Sequence, residues 1–302
     1  RREVKRLPLP RPRFPYAAPT WPGTVPRPPV ERSTGINYET AWARRYGPRL
    51  LRRMITAGIT RPVIRVVASP DVDGLDRIEA VEAPVVFAAN HASHVDTGLV
   101  LSCLPERFRH RTVVAAAADY FFDKRWKGAL SALTINAVPI ERVRVSPQST
   151  RLAVDLLAEG WSVLIYPEGG RSPDGWAQPH RAGAAHLAVR SGRPLVPVHI
   201  EGTRRILKRG AKRIRRSTAH VTFGRPLEPD PAEGTREFTA RVEKEIAVLA
   251  DEQAHGLWVA RRRAASGTTP ALTGPSVAQW RRAWALGEGR TRSTTERAWP
   301  PQ

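Results

Sequence analysis

The chain has 302 residues, 41% hydrophobic, 25% charged and 7% aromatic, enough to bury a core without disulfide or metal staples. Its single cysteine, Cys103, excludes an intramolecular disulfide and any multi-cysteine zinc site, and fits a reducing compartment. The formal charge of +21 comes from 43 arginines and 6 lysines against 28 acids. That arginine bias has the look of GC-rich coding, yet such a field attracts phosphorylated substrates, acidic carrier proteins, acidic lipid surfaces or nucleic acid.

Residues 1–34 hold nine prolines, eight basic residues and two acids, the composition of an extended or disordered arm. Over 35–60 a helical period sets in. Tyr38, Trp42 and Tyr46 recur at i+4, followed by Leu50, Leu51, Met54 and Ile55, with Pro48 expected to divide the stretch into two short helices. The other face carries Arg44, Arg45, Arg49, Arg52 and Arg53. Two readings stand: a helix lying in a membrane interface, or one packed on the core with a solvated arginine face.

From about 61 to 250 strands and helices alternate. Strands are expected at Val63–Ala68, Pro84–Ala89, Thr112–Ala116, Val138–Glu141, Ser162–Tyr166, Pro194–Ile200 and Ala219–Phe223. Helices are expected at Thr97–Leu104, Trp126–Leu133, Gln148–Glu159, Gly183–Ser191 and Arg236–Glu252. This pattern predicts an α/β fold, a layered mixed sheet flanked by helices, with the amphipathic helices before it and a helical or looped tail behind. The tail, 251–302, is rich in arginine and tryptophan, with Trp258, Trp280, Trp284 and Trp299 and a helix expected over Ser276–Leu286. Arg204–Arg216 holds eight basic residues and no acid. The longest strictly apolar run, Ala83–Ala89, is seven residues; a membrane span needs about 20. Neither a transmembrane helix nor a signal peptide is therefore expected in these residues. The sequence opens on arginine and its only methionine is Met54, so both expectations concern the 302 residues alone.

Two segments carry the chemistry. Asn90-His91-Ala92-Ser93-His94-Val95-Asp96 follows the strand ending at Ala89, the position where open α/β sheets place ligands. On a regular helix His91 and Asp96 would lie about 140° apart and would not meet. With His91 in the loop and Asp96 in the first turn, the carboxylate can reach the imidazole, fix its tautomer and leave the other ring nitrogen as a general base. His94 is the competing histidine. The second segment, Tyr166-Pro167-Glu168-Gly169-Gly170-Arg171-Ser172, also follows a buried strand. Paired glycines admit a ligand close to the backbone, and Arg171 offers a planar fork for phosphate. Glu168 is read as orienting Arg171 or bonding an acceptor hydroxyl.

Together the segments resemble the lysophosphatidic acid acyltransferase family. Asn90-His91-x-Ser93-x-x-Asp96 resembles its His-x4-Asp block. Ala137-Val138-Pro139-Ile140-Glu141-Arg142 resembles the second block, with proline in place of the usual aromatic. Tyr166–Ser172 resembles the third, with tyrosine for phenylalanine, and Pro194-Leu195-Val196-Pro197-Val198 the fourth. The resemblance covers about residues 60–230 and implies transfer of a fatty acyl group from acyl-CoA or acyl carrier protein to a hydroxyl of lysophosphatidic acid or a related phospholipid precursor. It implies His91 as base, Asp96 as its partner, and Arg142, Glu168, Gly169, Gly170, Arg171 and Ser172 as substrate-binding residues. No metal or other cofactor is expected. The implied partners are the acyl thioester, the lysophospholipid and an acidic membrane surface, without nucleic acid, and the implied location is cytoplasmic, peripheral on the inner face of a membrane. Two alternatives stand beside it. One is the same fold acylating a glycolipid, an amino-acid lipid or glycerol 3-phosphate; the other is a non-catalytic basic module that binds acidic lipid or nucleic acid.

Overall fold

Six buried apolar runs and one polar edge segment form a single seven-stranded sheet in the computed structural model, which describes residues 35–141, 147–172, 175–208, 210–211, 213–230 and 232–273. The strands are β1 (Asp71–Asp73), β2 (Val86–Ala89), β3 (Thr112–Ala117), β4 (Ala137–Ile140), β5 (Ser162–Ile165), β6 (Leu195–Glu201) and β7 (His220–Phe223), in the order β1-β7-β6-β2-β5-β3-β4. All neighbours are parallel except β6 and β7. The result is the mixed, helix-flanked α/β sheet that the alternation predicts. The 1–34 arm and the helix expected over Ser276–Leu286 lie outside the described residues.

Side-chain alternation divides the core in two. Phe87, Leu164, Val196, Val198, Val221 and Phe223 face one layer, packed by Ile64, Ala68, Leu99 and Phe108. Val86, Ala88, Val113, Val163 and Leu195 face the other, packed by Leu156, Leu187, Phe238, Val242 and Ile246 from the helices Pro147–Ala158, Gly183–Ser191 and Thr235–His255. Burial on both faces is why these strands are apolar throughout rather than alternating.

Several local expectations are overturned. Val63–Ala68 is not a strand: Arg61–Ala68 is helical, the continuation of a helix over Tyr46–Ile55 and a π-helical stretch over Thr56–Thr60. Its β-branched residues suggest a strand, but only Ile64 and Ala68, at i and i+4, are buried, whereas Val63 and Val66 are exposed. Pro48 does not divide the first helix; it occupies the first turn, where a missing N–H is harmless. The boundary at 60/61 therefore falls inside one helical run, and that at 250/251 falls inside Thr235–His255, which a further helix over Leu257–Ala265 follows. The strand β1, with Val72 as its only apolar residue, was not expected; it pairs with β7 at the sheet edge.

Of the two readings of the first helix, the one that packs its apolar face on the core and leaves its arginines solvated is contradicted. Arg52 turns inward, donating from Nε to Leu133 O at 3.0 Å and from Nη2 to Ala43 O. Burial, helped by the charges of Arg49 and Arg44, pushes its pKa down to about 10. Arg49 lies over the Trp161 ring at 5.5 Å. Tyr46, Leu50, Leu51 and Met54 face outward, and Tyr38 packs on Phe122.

Candidate active site

The central strand β2 pairs with β5 on one side and β6 on the other, so the loops leaving β2 and β5 emerge side by side at the carboxyl edge of the sheet. The register sets Ala88 opposite Ile165. Three residues further along each chain stand His91 and Glu168, and the His91 N–H donates to Glu168 Oε1 at 2.8 Å. The other carboxylate oxygen, Oε2, accepts from Gln178 N at 2.8 Å. Glu168 is 3% exposed. Its carboxylate thus ties three loop segments together. Ser172 closes the same junction. Its N–H donates to the His91 carbonyl and its Oγ accepts from Gly175 N, each at 2.8 Å.

Asp96 opens the helix Val95–Cys103 and is fully buried. One oxygen, Oδ2, receives three donors at 2.8 Å: His91 Nδ1, Ala92 N and Ser93 N. A carboxylate oxygen already turned to two backbone N–H groups can only accept, so His91 carries its proton on Nδ1 and Nε2 keeps a free lone pair. The loop-plus-first-turn placement inferred from the spacing is the one found. A ring wall completes the arrangement. Tyr166 stacks on His91 with centroids 4.1 Å apart and planes at 21°, and its hydroxyl meets Thr97 Oγ1 at 2.9 Å. Burial, then the charge of Asp96, raises the Tyr166 pKa, so the phenol stays protonated. On the other side of β2, Asn90 pairs with the Ile200 backbone in both directions, Nδ2 to O at 2.8 Å and N to Oδ1 at 2.7 Å.

His94 is placed differently. It stacks on Tyr120 with centroids 5.6 Å apart, and its Nε2 lies 3.3 Å from the Tyr120 hydroxyl. Burial, then the positive charge of Arg171, pushes its pKa down to about 4. Among the described residues Asp96 bonds His91 and not His94. Gly169 has φ +69°, and a Cβ there would meet Arg181 Nε at 2.9 Å; Gly170 has open space around its Cα. Arg142 lies outside the described residues. A cavity of about 390 Å³ opens beside His91, bounded by Asn90, Ser172, Trp176 and His199 among others. Among the described residues no three His, Cys, Asp or Glu side chains converge as a metal site requires.

Residues 69–201 match the family model described as Acyltransferase. The chain is 30% identical over 146 residues to the chloroplastic 1-acyl-sn-glycerol-3-phosphate acyltransferase BAT2 of Brassica napus, covering 48% of this chain and 40% of that protein. It is 33% identical over 135 residues to the enzyme of the same description from Limnanthes alba, covering 43% and 45%. Over these residues the chain is similar to acyltransferases. The Bacillus subtilis (strain 168) protein of that description is 30% identical over 118 residues, covering 39% of this chain and 55% of that one. The chain thus spans about half or less of the length of these curated relatives. The crystal structure of the 1-acyl-sn-glycerophosphate acyltransferase PlsC from Thermotoga maritima has the same fold, with a TM-score of 0.52 at 21% identity over 74% of this chain and 86% of that one.

Sequence reasoning missed three residues at this end of the sheet. Tyr166 was read only as a substitute for phenylalanine. Asn90 was read as part of a motif, not as a clamp on β6. His199 lies inside an apolar strand, where nothing in the spacing marks it; the one available signal is a lone histidine in a run of buried aliphatic residues.

Proposed function

We propose that the chain transfers an acyl group from an acyl thioester to a hydroxyl of lysophosphatidic acid or a closely related lysophospholipid. The observation that carries this reading is the single Asp96 oxygen shared by His91 Nδ1 and two backbone N–H groups, which leaves His91 Nε2 as a base at the mouth of the cavity. The matched family and the printed descriptions of the relatives supply the reaction class.

In this mechanism His91 Nε2 takes the acceptor hydroxyl proton as the oxygen attacks the thioester carbonyl. Asp96 stabilises the imidazolium that results. Collapse of the tetrahedral intermediate breaks the C–S bond, and the imidazolium returns its proton to the departing thiolate, so atoms and charge balance. General-base assistance of this kind contributes about 10²–10⁴-fold, and orientation of the two substrates several kcal/mol more. Glu168 and Ser172 hold the His91 backbone. Arg171, whose charge is felt at His94, binds the acceptor phosphate as a planar fork.

The chain works at a membrane surface in this reading. Among the described residues no helix is long and apolar enough to cross a membrane. What supports surface attachment is the outward-facing apolar side of the first helix, Tyr46, Leu50 and Met54 at i, i+4 and i+8, joined by exposed Trp126 and Leu130 on the neighbouring helix Arg125–Ile135. Exposed arginines such as Arg45 and Arg53 flank them, as shallow insertion into anionic lipid requires.

Free thiol release from an acyl thioester, measured with lysophosphatidic acid, glycerol 3-phosphate, a glycolipid and an amino-acid lipid, tests the reading. Lysophosphatidic acid should give the highest kcat/KM, and preference for another acceptor would reassign the substrate.

A further inference from the structure

The cavity beside His91 has a second wall that the mechanism above does not use. It is formed by the end of β6 and the turn after it: His199, Glu201, Arg204 and Arg205. Two nitrogen atoms on this wall are buried without a partner, His199 Nδ1 and Arg204 Nη1. Groups of this kind are normally satisfied, and an unpaired buried donor is destabilising unless something fills the gap.

The protonation of His199 follows from its surroundings. The residue is 6% exposed and lies beside Gln253, whose side chain favours the protonated ring. Burial outweighs this and pushes the His199 pKa down to about 4, which keeps the ring neutral. A neutral imidazole carries one N–H, and the unpartnered Nδ1 can present it to an incoming oxygen. The Arg204 side chain passes beside Gly175, where a Cβ would lie 3.5 Å from its Nε. The cavity wall therefore presents an unpartnered imidazole nitrogen and an unpartnered guanidinium N–H, with exposed Arg205 beside them and exposed Glu201 as the one acid on this wall. The remaining carboxylate at the cavity, Glu168, is engaged by His91 N and Gln178 N. A guanidinium N–H, an imidazole N–H on Nδ1 and a wall with two arginines against one acid complement the oxygens of a phosphate group.

We propose that His199 and Arg204 form a phosphate subsite that receives the phosphate of one substrate while its reacting end lies at His91. The inference rests on the acyl-transfer reading for the identity of that substrate, which is either the lysophospholipid or a nucleotide-bearing thioester. Arg171 is not among the walls of this cavity, so two substrates that both carry phosphate would meet two separate cationic groups.

Initial rates of thiol release with the full chain and with Arg204→Gln and Arg204→Lys test this. The donors are an acyl-CoA and the phosphate-free acyl-pantetheine; the acceptors are lysophosphatidic acid and a monoacylglycerol. Arg204→Gln should raise KM about tenfold or more for one phosphate-bearing substrate and at most about twofold for its phosphate-free counterpart, with partial recovery in Arg204→Lys. An effect confined to acyl-CoA assigns the subsite to the donor; one confined to lysophosphatidic acid assigns it to the acceptor. Equal changes within both pairs, or none, would overturn the proposal. A second readout does not depend on turnover: the ¹⁵N resonances of His199 should move to those of a ring protonated on Nδ1 on addition of inorganic phosphate in the unmodified chain but not in Arg204→Gln. Response without thioester turnover would retain the subsite and refute the acyl-transfer reading. Turnover with no response and no Arg204 dependence would do the reverse.

Discussion

Replacing Asp96 by asparagine separates the charge of this residue from its shape. In the native chain Oδ2 accepts three hydrogen bonds at 2.8 Å in a fully buried position, while Oδ1 has no partner. The asparagine oxygen can take the place of Oδ2, because turning the amide round would set its NH₂ against the Ala92 and Ser93 N–H groups. The NH₂ then occupies the Oδ1 position as a buried, unpaired donor. Charge-assisted bonds exceed neutral ones by about 1 kcal/mol each, so three lose about 3 kcal/mol, and the unpaired donor adds roughly 1–2 kcal/mol. For a domain of this size a loss of about 4 kcal/mol lowers Tm by roughly 10 °C. Because the backbone donors keep an acceptor facing Nδ1, the His91 tautomer survives and only the stabilisation of its protonated form is lost. The kcat for thiol release from an acyl thioester with saturating lysophosphatidic acid should fall about 10²-fold. A value within threefold of the unmodified chain would refute the role of Asp96. A fall of 10⁴-fold or more in a folded variant would show that the amide has turned and inverted the tautomer.

Three further outcomes follow from the geometry. Gly169→Ala, at φ +69° and against Arg181, should lose at least about 1 kcal/mol of stability by chemical denaturation, whereas Gly170→Ala should be silent; equal losses would contradict the loop conformation. His199 has a folded pKa of about 4, below the ordinary value of 6.5, so the unfolded chain binds the extra proton first and stability falls as pH drops from about 6.5 towards 4. The full effect is about 3 kcal/mol, and His199→Leu should flatten the denaturation-versus-pH curve over that window; an unchanged slope would show the ring is not held neutral. Sedimentation with vesicles should require acidic lipid, weaken as salt rises, and drop markedly on replacing Leu50, Leu51 and Met54 by serine; binding that survives this triple change would move the contact away from the first helix.

Much of the sheet was legible because burial on both faces turns a strand into a continuous apolar run, as in Val163-Leu164-Ile165. The same logic hides β1, which needs only Val72 because β7 supplies its backbone partners, and misassigns Val63–Ala68, whose β-branched residues lie on a helix that buries only Ile64 and Ala68. The orientation of the first helix was not legible, since arginines can face inward when carbonyls such as Ala43 O and Leu133 O receive them. At the site, the His91–Asp96 contact could be anticipated because both partners belong to one short segment. The Glu168 bond to His91 N, the Tyr166 stack and the His199–Gln253 pair depend on strand register and on helix packing across the sheet, which local sequence does not encode.

The most direct measurement is thiol release from an acyl thioester in the presence of lysophosphatidic acid, compared between the unmodified chain, His91→Ala and His94→Ala. The unmodified chain should turn over, His91→Ala should lower kcat at least about 10²-fold without unfolding, and His94→Ala should have a far smaller effect. Absence of thiol release from the unmodified chain, or a His91→Ala variant as active as its parent, would contradict the account.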